Sequence, residues 1–175
     1  GTDADMFDKS NVGFLYAFLD RHMALNSEIP IVIHTKRCIP EDFIRRYKNA
    51  KFMIVIAMSI SLLPKYYEPG ILPVEKRIEN AINTRKTIEL EHAKNVFLLH
   101  KWQPFIETEM LNSRDSFVKT ISETFDASIL IGLRITHKMF LSIKDSPNHP
   151  LFHIVCKYNE MDEHYFDGDA KEILD

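Results

Sequence analysis

The side chains best suited to chemistry recur in one kind of place, just beyond short apolar runs. Asp3 and Asp5 stand near the start of the chain. Lys36 and Arg37 follow Ile29–Thr35 (IPIVIHT), and Ser59 and Ser61 follow Phe52–Met58. His100 closes Asn95–His100 (NVFLLH) with Gln103 just after it, and Arg134 follows Ala127–Leu133 (ASILIGL). Lysine and arginine bind carboxylates and phosphates, while hydroxyls and amides orient uncharged polar groups of a ligand. The loop Tyr66-Tyr67-Glu68-Pro69-Gly70 adds a carboxylate, aromatics and a proline, and it reads as the rim of a site.

Ordinary structural roles stand beside these readings. Lys36 is either a ligand-binding cation or a solvated rim lysine, and the serines are either ligand donors or turn and cap residues. Glu68 is expected to hold its loop through Arg77 or a backbone amide, because a half-buried carboxylate needs a partner. Arg77 is a candidate for an anionic ligand, with Glu75 and Glu79 offering helix-face pairing instead. Among eight histidines there is no HxH or HExxH motif. His149, His153 and Cys156 have metal-like spacing, which becomes a zinc site only if Asp162 or His164 returns to it. His34 and His100 fall within apolar runs and read as core or rim residues.

The elements that position these groups follow from periodicity. Phe52–Met58 is apolar without alternation and rich in Ile and Val, the pattern of a parallel strand buried on both faces. Residues 29–35, 95–100 and 127–133 give three more strands. Between them lie helical patterns. Ser10 is expected to cap a helix carrying Phe14, Leu15, Phe18, Leu19 and Met23. Pro40 starts a short helix with Phe43, Ile44 and Tyr47. Pro73 opens a long one whose buried face holds Ile78, Ala81, Ile82 and Ile88. Ser113 precedes Phe117, Ile121 and Phe125 at helical spacing, and a last helix begins at Thr136 and carries Met139, Phe140 and Ile143. Unbroken strand–helix alternation with right-handed crossovers predicts an α/β fold, a parallel sheet of (βα) units forming an incomplete, TIM-like partial barrel. It spans residues 1–146, with 147–175 as a C-terminal tail. Polar residues at the strand ends would then share one rim. Four complete strands are too few to close a barrel, which leaves a sheet edge open beside residues 29–35.

Composition narrows the classes. At 175 residues, 45% hydrophobic and 27% charged with a net charge of −3, the chain reads as one ordinary domain without the basic excess of a sequence-blind nucleic-acid binder. No apolar run reaches the ~18 residues of a membrane span. There is no charged-then-apolar leader, and two cysteines, Cys38 and Cys156, build no disulfide framework, so a cytoplasmic setting is expected.

In order and spacing, these motifs resemble the later part of a radical S-adenosylmethionine (SAM) core, in its spore photoproduct lyase-like branch. The resemblance rests on Thr2-Asp3 near a strand end, a strand ending in Thr35-Lys36, and a strand ending in serine before Tyr67-Glu68-Pro69-Gly70. It continues through a helix beginning Glu75-Lys76-Arg77, a strand with Gln103-Pro104 beyond it, and a strand running into Leu133-Arg134. It covers roughly residues 1–143. It implies the last four strands of a partial barrel that binds SAM beside a [4Fe-4S] cluster. Lys36 would meet the SAM carboxylate, Ser59 or Ser61 its ribose or methionine groups, and Asp3 with Thr2 its amine; Gln103 and Arg134 complete the rim. The family's cluster-binding CxxxCxxC loop is absent, so the cluster's ligands are expected from an upstream segment or a second chain. The substrate class, whether small molecule, peptide or nucleic acid, stays open. Two further readings stand beside this one: a non-catalytic α/β module that binds a nucleotide or partner, and a metal-dependent partial-barrel enzyme using His34, His100 and Asp5.

Overall fold

The computed structural model describes residues 5–62, 70–105, 114–132, 137–149, 152, 153 and 156. Within them the order is α1 (Val12–Ala24), β1 (Ile31–Thr35), α2 (Phe43–Tyr47), β2 (Ile54–Ser59), α3 (Val74–Leu90), β3 (Val96–Phe105), α4 (Arg114–Thr124), β4 (Ala127–Gly132) and α5 (His137–Lys144). The strands form one sheet in the order β1-β2-β3-β4, and every pairing is parallel. The fold is therefore α/β, with strands adjacent in chain order and a helix in each connection.

The register shows which face the helices cover. Ile33, Ile56 and Leu98 align across the sheet, as do Thr35, Met58, His100 and Ser128. The apolar members of these rows belong to one core cluster with Leu15 and Leu19 of α1, Phe43, Ile44 and Tyr47 of α2, Ala81 and Ile88 of α3, and Phe117 and Ile121 of α4. All helices that contribute to this core lie on the same face. Such one-sided winding is that of a barrel wall, whereas doubly wound sheets carry helices on both faces. Alternation puts Val32, Val55 and Phe97 on the other face, where Val32 is 54% exposed and Phe97 36%.

Local chemistry explains the element ends. Pro73 takes the N-cap position of α3, whose buried stripe is Arg77, Ala81, Thr84 and Ile88. Ile78 only packs at the margin of the core. At α1, Asn11 rather than Ser10 occupies the N-cap. The Ser10 hydroxyl instead donates to Asp8 Oδ1 at 3.4 Å, and the Asn11 amide donates to the Asp5 carbonyl at 2.9 Å. Only Leu15 and Leu19 of α1 are buried, and Phe14 is 70% exposed. Among the described residues β1 pairs only with β2 and β4 only with β3, so both sheet edges are open there.

Candidate functional site

The strand register brings together residues that are distant in sequence. Ser59 pairs with Lys101, and Lys101 with Ile129. Lys36 follows Thr35, whose partner Met58 precedes Ser59. Lys36, Ser59 and Lys101 therefore form one row at the C-terminal ends of the strands, on the face opposite the core helices α1–α4, where Ser59 is buried. One residue-pair lower lie His34, Ala57 and Leu99. Ser61 is fully buried two residues beyond β2. Gln103 is half-buried where the β3–β4 pairing becomes irregular. Asp3, Thr2, Glu68, Arg134, Asp162 and His164 lie outside the described residues. Lys101 was missed in the sequence because the third strand was read as ending at His100; β3 runs on to Phe105.

Asp5 fixes the start of this row. Its Oδ1 accepts the Thr35 hydroxyl at 2.7 Å and the Phe7 N–H at 3.0 Å, and its Oδ2 accepts the Lys36 N–H at 2.5 Å. The Ile31 N–H points at Met53 of the β2 side, so alternation aims the Lys36 N–H at the outer edge, where Asp5 meets it. Arg37 adds a second tie, with Nη2 to Asp8 Oδ2 at 3.0 Å and Nη1 to the Gly70 carbonyl at 3.3 Å. Gly70 itself has φ +78°, a conformation that favours glycine. Asn80 of α3 clamps the next loop, accepting from Ile39 N–H at 2.8 Å and donating to Ile39 O at 3.1 Å.

His100 faces the helices. Its Nε2 lies 2.9 Å from the Ile60 carbonyl, which can only accept, so Nε2 carries the proton and Nδ1 accepts from the Ser128 hydroxyl at 2.6 Å. Burial pushes its pKa down, opposed by the bond to Ile60. His34, on the other face, is also lowered, by burial first and then by the Lys101 charge. His100, His34 and Asp5 thus do not converge on one metal. The arrangement of His149, His153 and Cys156 gives no group of three metal-ligating residues among those described. Both cysteines are free, and burial raises the Cys38 thiol's pKa against the lowering influence of Arg77 and Lys76.

Arg77 is buried beneath the end of β2, where its Nη1 donates to the Ser59 carbonyl at 2.8 Å. It reaches the site through the backbone of one of its residues. The row thus gathers two lysines and a buried serine at the strand ends, with His34 and the buried Ala57 one level lower.

The neutral histidines set a pH expectation. A base whose pKa is lower folded than unfolded takes up protons preferentially when unfolded. Its effect on stability is absent above the ordinary imidazole pKa of about 6.5 and grows as pH falls towards the folded value. Urea midpoints should therefore decline between pH 7.5 and pH 5, and His100→Asn should flatten that decline. An unchanged slope in the variant would show that His100 does not govern it. Comparison with family models, with curated proteins and with solved structures found no match to this chain.

Proposed function

We propose that this chain is the SAM- and substrate-binding portion of a radical SAM enzyme, acting in the cytoplasm with cluster ligands supplied by an upstream segment or a second chain. The observation that carries the reading is the row Lys36–Ser59–Lys101 at the C-terminal ends of a one-sided parallel sheet. That is where α/β barrels gather their ligand chemistry. Lys36, with its backbone held by Asp5, would bind the SAM carboxylate. The Ser59 and Ser61 hydroxyls and the Gln103 amide would orient its ribose and methionine groups, and Asp3, Arg134, Glu68 and Arg77 remain candidates around the same rim. When SAM is bound at a reduced [4Fe-4S] cluster, it supplies a 5′-deoxyadenosyl radical. The chain has only two cysteines, which do not satisfy the three thiolates of such a cluster. The free thiols support a reducing compartment. No helix among the described residues is long and apolar enough to cross a membrane.

Calorimetry with SAM on a protein completed with a CxxxCxxC segment tests the assignment. Lys36→Ala is expected to weaken binding about tenfold, since it removes one charge-assisted hydrogen bond, and Ser59→Ala to weaken it less. Failure of the completed protein to bind SAM, or indifference to both substitutions, removes the reading. The shortage of thiolates favours one alternative, a non-catalytic module binding a nucleotide or a partner through the same row.

A further inference from the structure

Ser128 and His100 form a pair that the SAM reading does not use. The register sets them side by side on β4 and β3, and the Ser128 hydroxyl donates to His100 Nδ1 at 2.6 Å. On the far side of the ring, Nε2–H is held by the Ile60 carbonyl at 2.9 Å. The rings of Trp102, Phe117 and Phe125 pack around the imidazole, with centroids 5.9, 5.7 and 5.4 Å away. Burial and the bond to Ile60 set its protonation, and burial keeps it neutral at pH 7. A hydroxyl bonded to a neutral, oriented imidazole is the nucleophile–base–orienter arrangement of covalent catalysis. The two partners differ in access. His100 is fully buried, whereas Ser128 is exposed on a strand that pairs only with β3 among the described residues. A reagent therefore meets the serine and not the base.

The open edge supplies two more components. Asp126 N–H donates to the Leu98 carbonyl, so alternation turns the N–H of Ser128 towards β3 and that of Ile129 outward along the edge. An N–H on the residue after a nucleophile is well placed to receive an oxyanion. Leu130 shares the face of Ser128 two residues on and is 58% exposed. It is an apolar seat for a short acyl chain.

We propose that Ser128 is an acyl-accepting nucleophile with His100 as its base, and that its donor is an activated ester whose leaving group departs as a stable anion. Oγ attacks the carbonyl carbon while its proton moves to His100 Nδ1, and the carbonyl electron pair shifts onto oxygen beside Ile129 N–H. That pair returns as the bond to the leaving group breaks. The group departs as a thiolate or aryl oxide, so it needs no proton from the enclosed ring. The imidazolium then loses its proton to water, and the product is the Ser128 ester. Alkyl esters and amides, whose leaving groups must be protonated, are not donors. This site lies on the helix side of the sheet and is independent of the SAM reading.

Incubating the 175-residue chain with p-nitrophenyl butyrate, and locating the butyryl group by peptide mass spectrometry, tests this. Ser128 should be labelled before any other residue, at least about a hundredfold faster than in the urea-unfolded chain. His100→Asn should slow that labelling by a similar factor, and Ser128→Ala should abolish it. The wild-type rate should also fall between about pH 7.5 and pH 5, because a protonated imidazole accepts no proton. If His100→Asn does not fold, this pH profile and Ser128→Ala decide. Acylation confined to lysines, or a Ser128 rate no faster than in the unfolded chain, overturns the proposal. So does a rate indifferent to both pH and His100→Asn. SAM binding by the cluster-completed protein should survive Ser128→Ala, so the failure of either reading leaves the other standing.

Discussion

Arg77→Leu is expected to lower the free energy of unfolding by about 2–4 kcal/mol. Arg77 is only 3% exposed, and its Nη1 is bonded to the Ser59 carbonyl. That carbonyl belongs to the last residue of β2, one of two strands paired on both sides. The next residue is held as well, its N–H by the Lys101 carbonyl at 3.0 Å and its own carbonyl by His100. Leucine would leave the Ser59 carbonyl buried without its charged donor and a smaller volume filled. Arg77→Lys retains the charge on a single, less directional group and should recover only part of the loss. Equilibrium unfolding in urea, followed by circular dichroism, measures both. A loss of no more than about 0.5 kcal/mol, the range of ordinary surface changes, together with lost anion binding would instead make Arg77 a ligand-binding residue.

Reconstitution with iron and sulfide under anaerobic conditions is expected to give the 175-residue chain neither the visible absorbance of a thiolate-bound cluster nor any production of 5′-deoxyadenosine from SAM. Three thiolates must converge on one cluster, and only Cys38 and Cys156 are present. Cys38 is half-buried in the connection after β1, where burial favours its neutral thiol over the thiolate a metal needs. Supplying a CxxxCxxC segment, in cis or as a separate peptide, should restore both signals. Deoxyadenosine made by the chain unaided would show the ligand count to be the wrong argument. If the completed protein makes none under strong reductant, the radical SAM proposal falls and the binding module takes its place.

The strands were legible because continuous apolar runs bounded by polar residues admit few alternatives. Residues 29–35, 52–58, 95–100 and 127–133 became Ile31–Thr35, Ile54–Ser59, Val96–Phe105 and Ala127–Gly132. The large difference is at β3. Lys101-Trp102-Gln103-Pro104 reads as an exit loop, yet pairing with β4 carries the strand through it, with a register shift between Trp102 and Phe105 where a proline can be accommodated. That extension decided the site. Lys101 has the parity of Phe97 and Leu99, but the parity meant nothing while the strand was thought to end one residue earlier. The role of His100 was beyond reach for another reason, since its partner Ser128 is fixed only by the register of two strands. At α1, Asp8, Ser10 and Asn11 all have cap-forming side chains, and local sequence does not choose among them when Asp5 draws Asn11 away.

The agreement between strand order and chain order also shapes how this protein is made. Among the described strands β2, β3 and β4 each pair with the one synthesised just before, so parallel pairing of these strands can proceed as the ribosome releases chain at about 5–20 residues per second. Growth by accretion has a cost at every stage, for the newest strand always presents an unpaired apolar edge. In the described residues that place belongs to β4, where Leu130 is 58% exposed. At the other end of the sheet, β1 with the neighbouring Phe14 and Ile29 is similarly uncovered. During synthesis these two margins are where a holdase chaperone would find its grip, and in concentrated solution they are where one copy would first adhere to another.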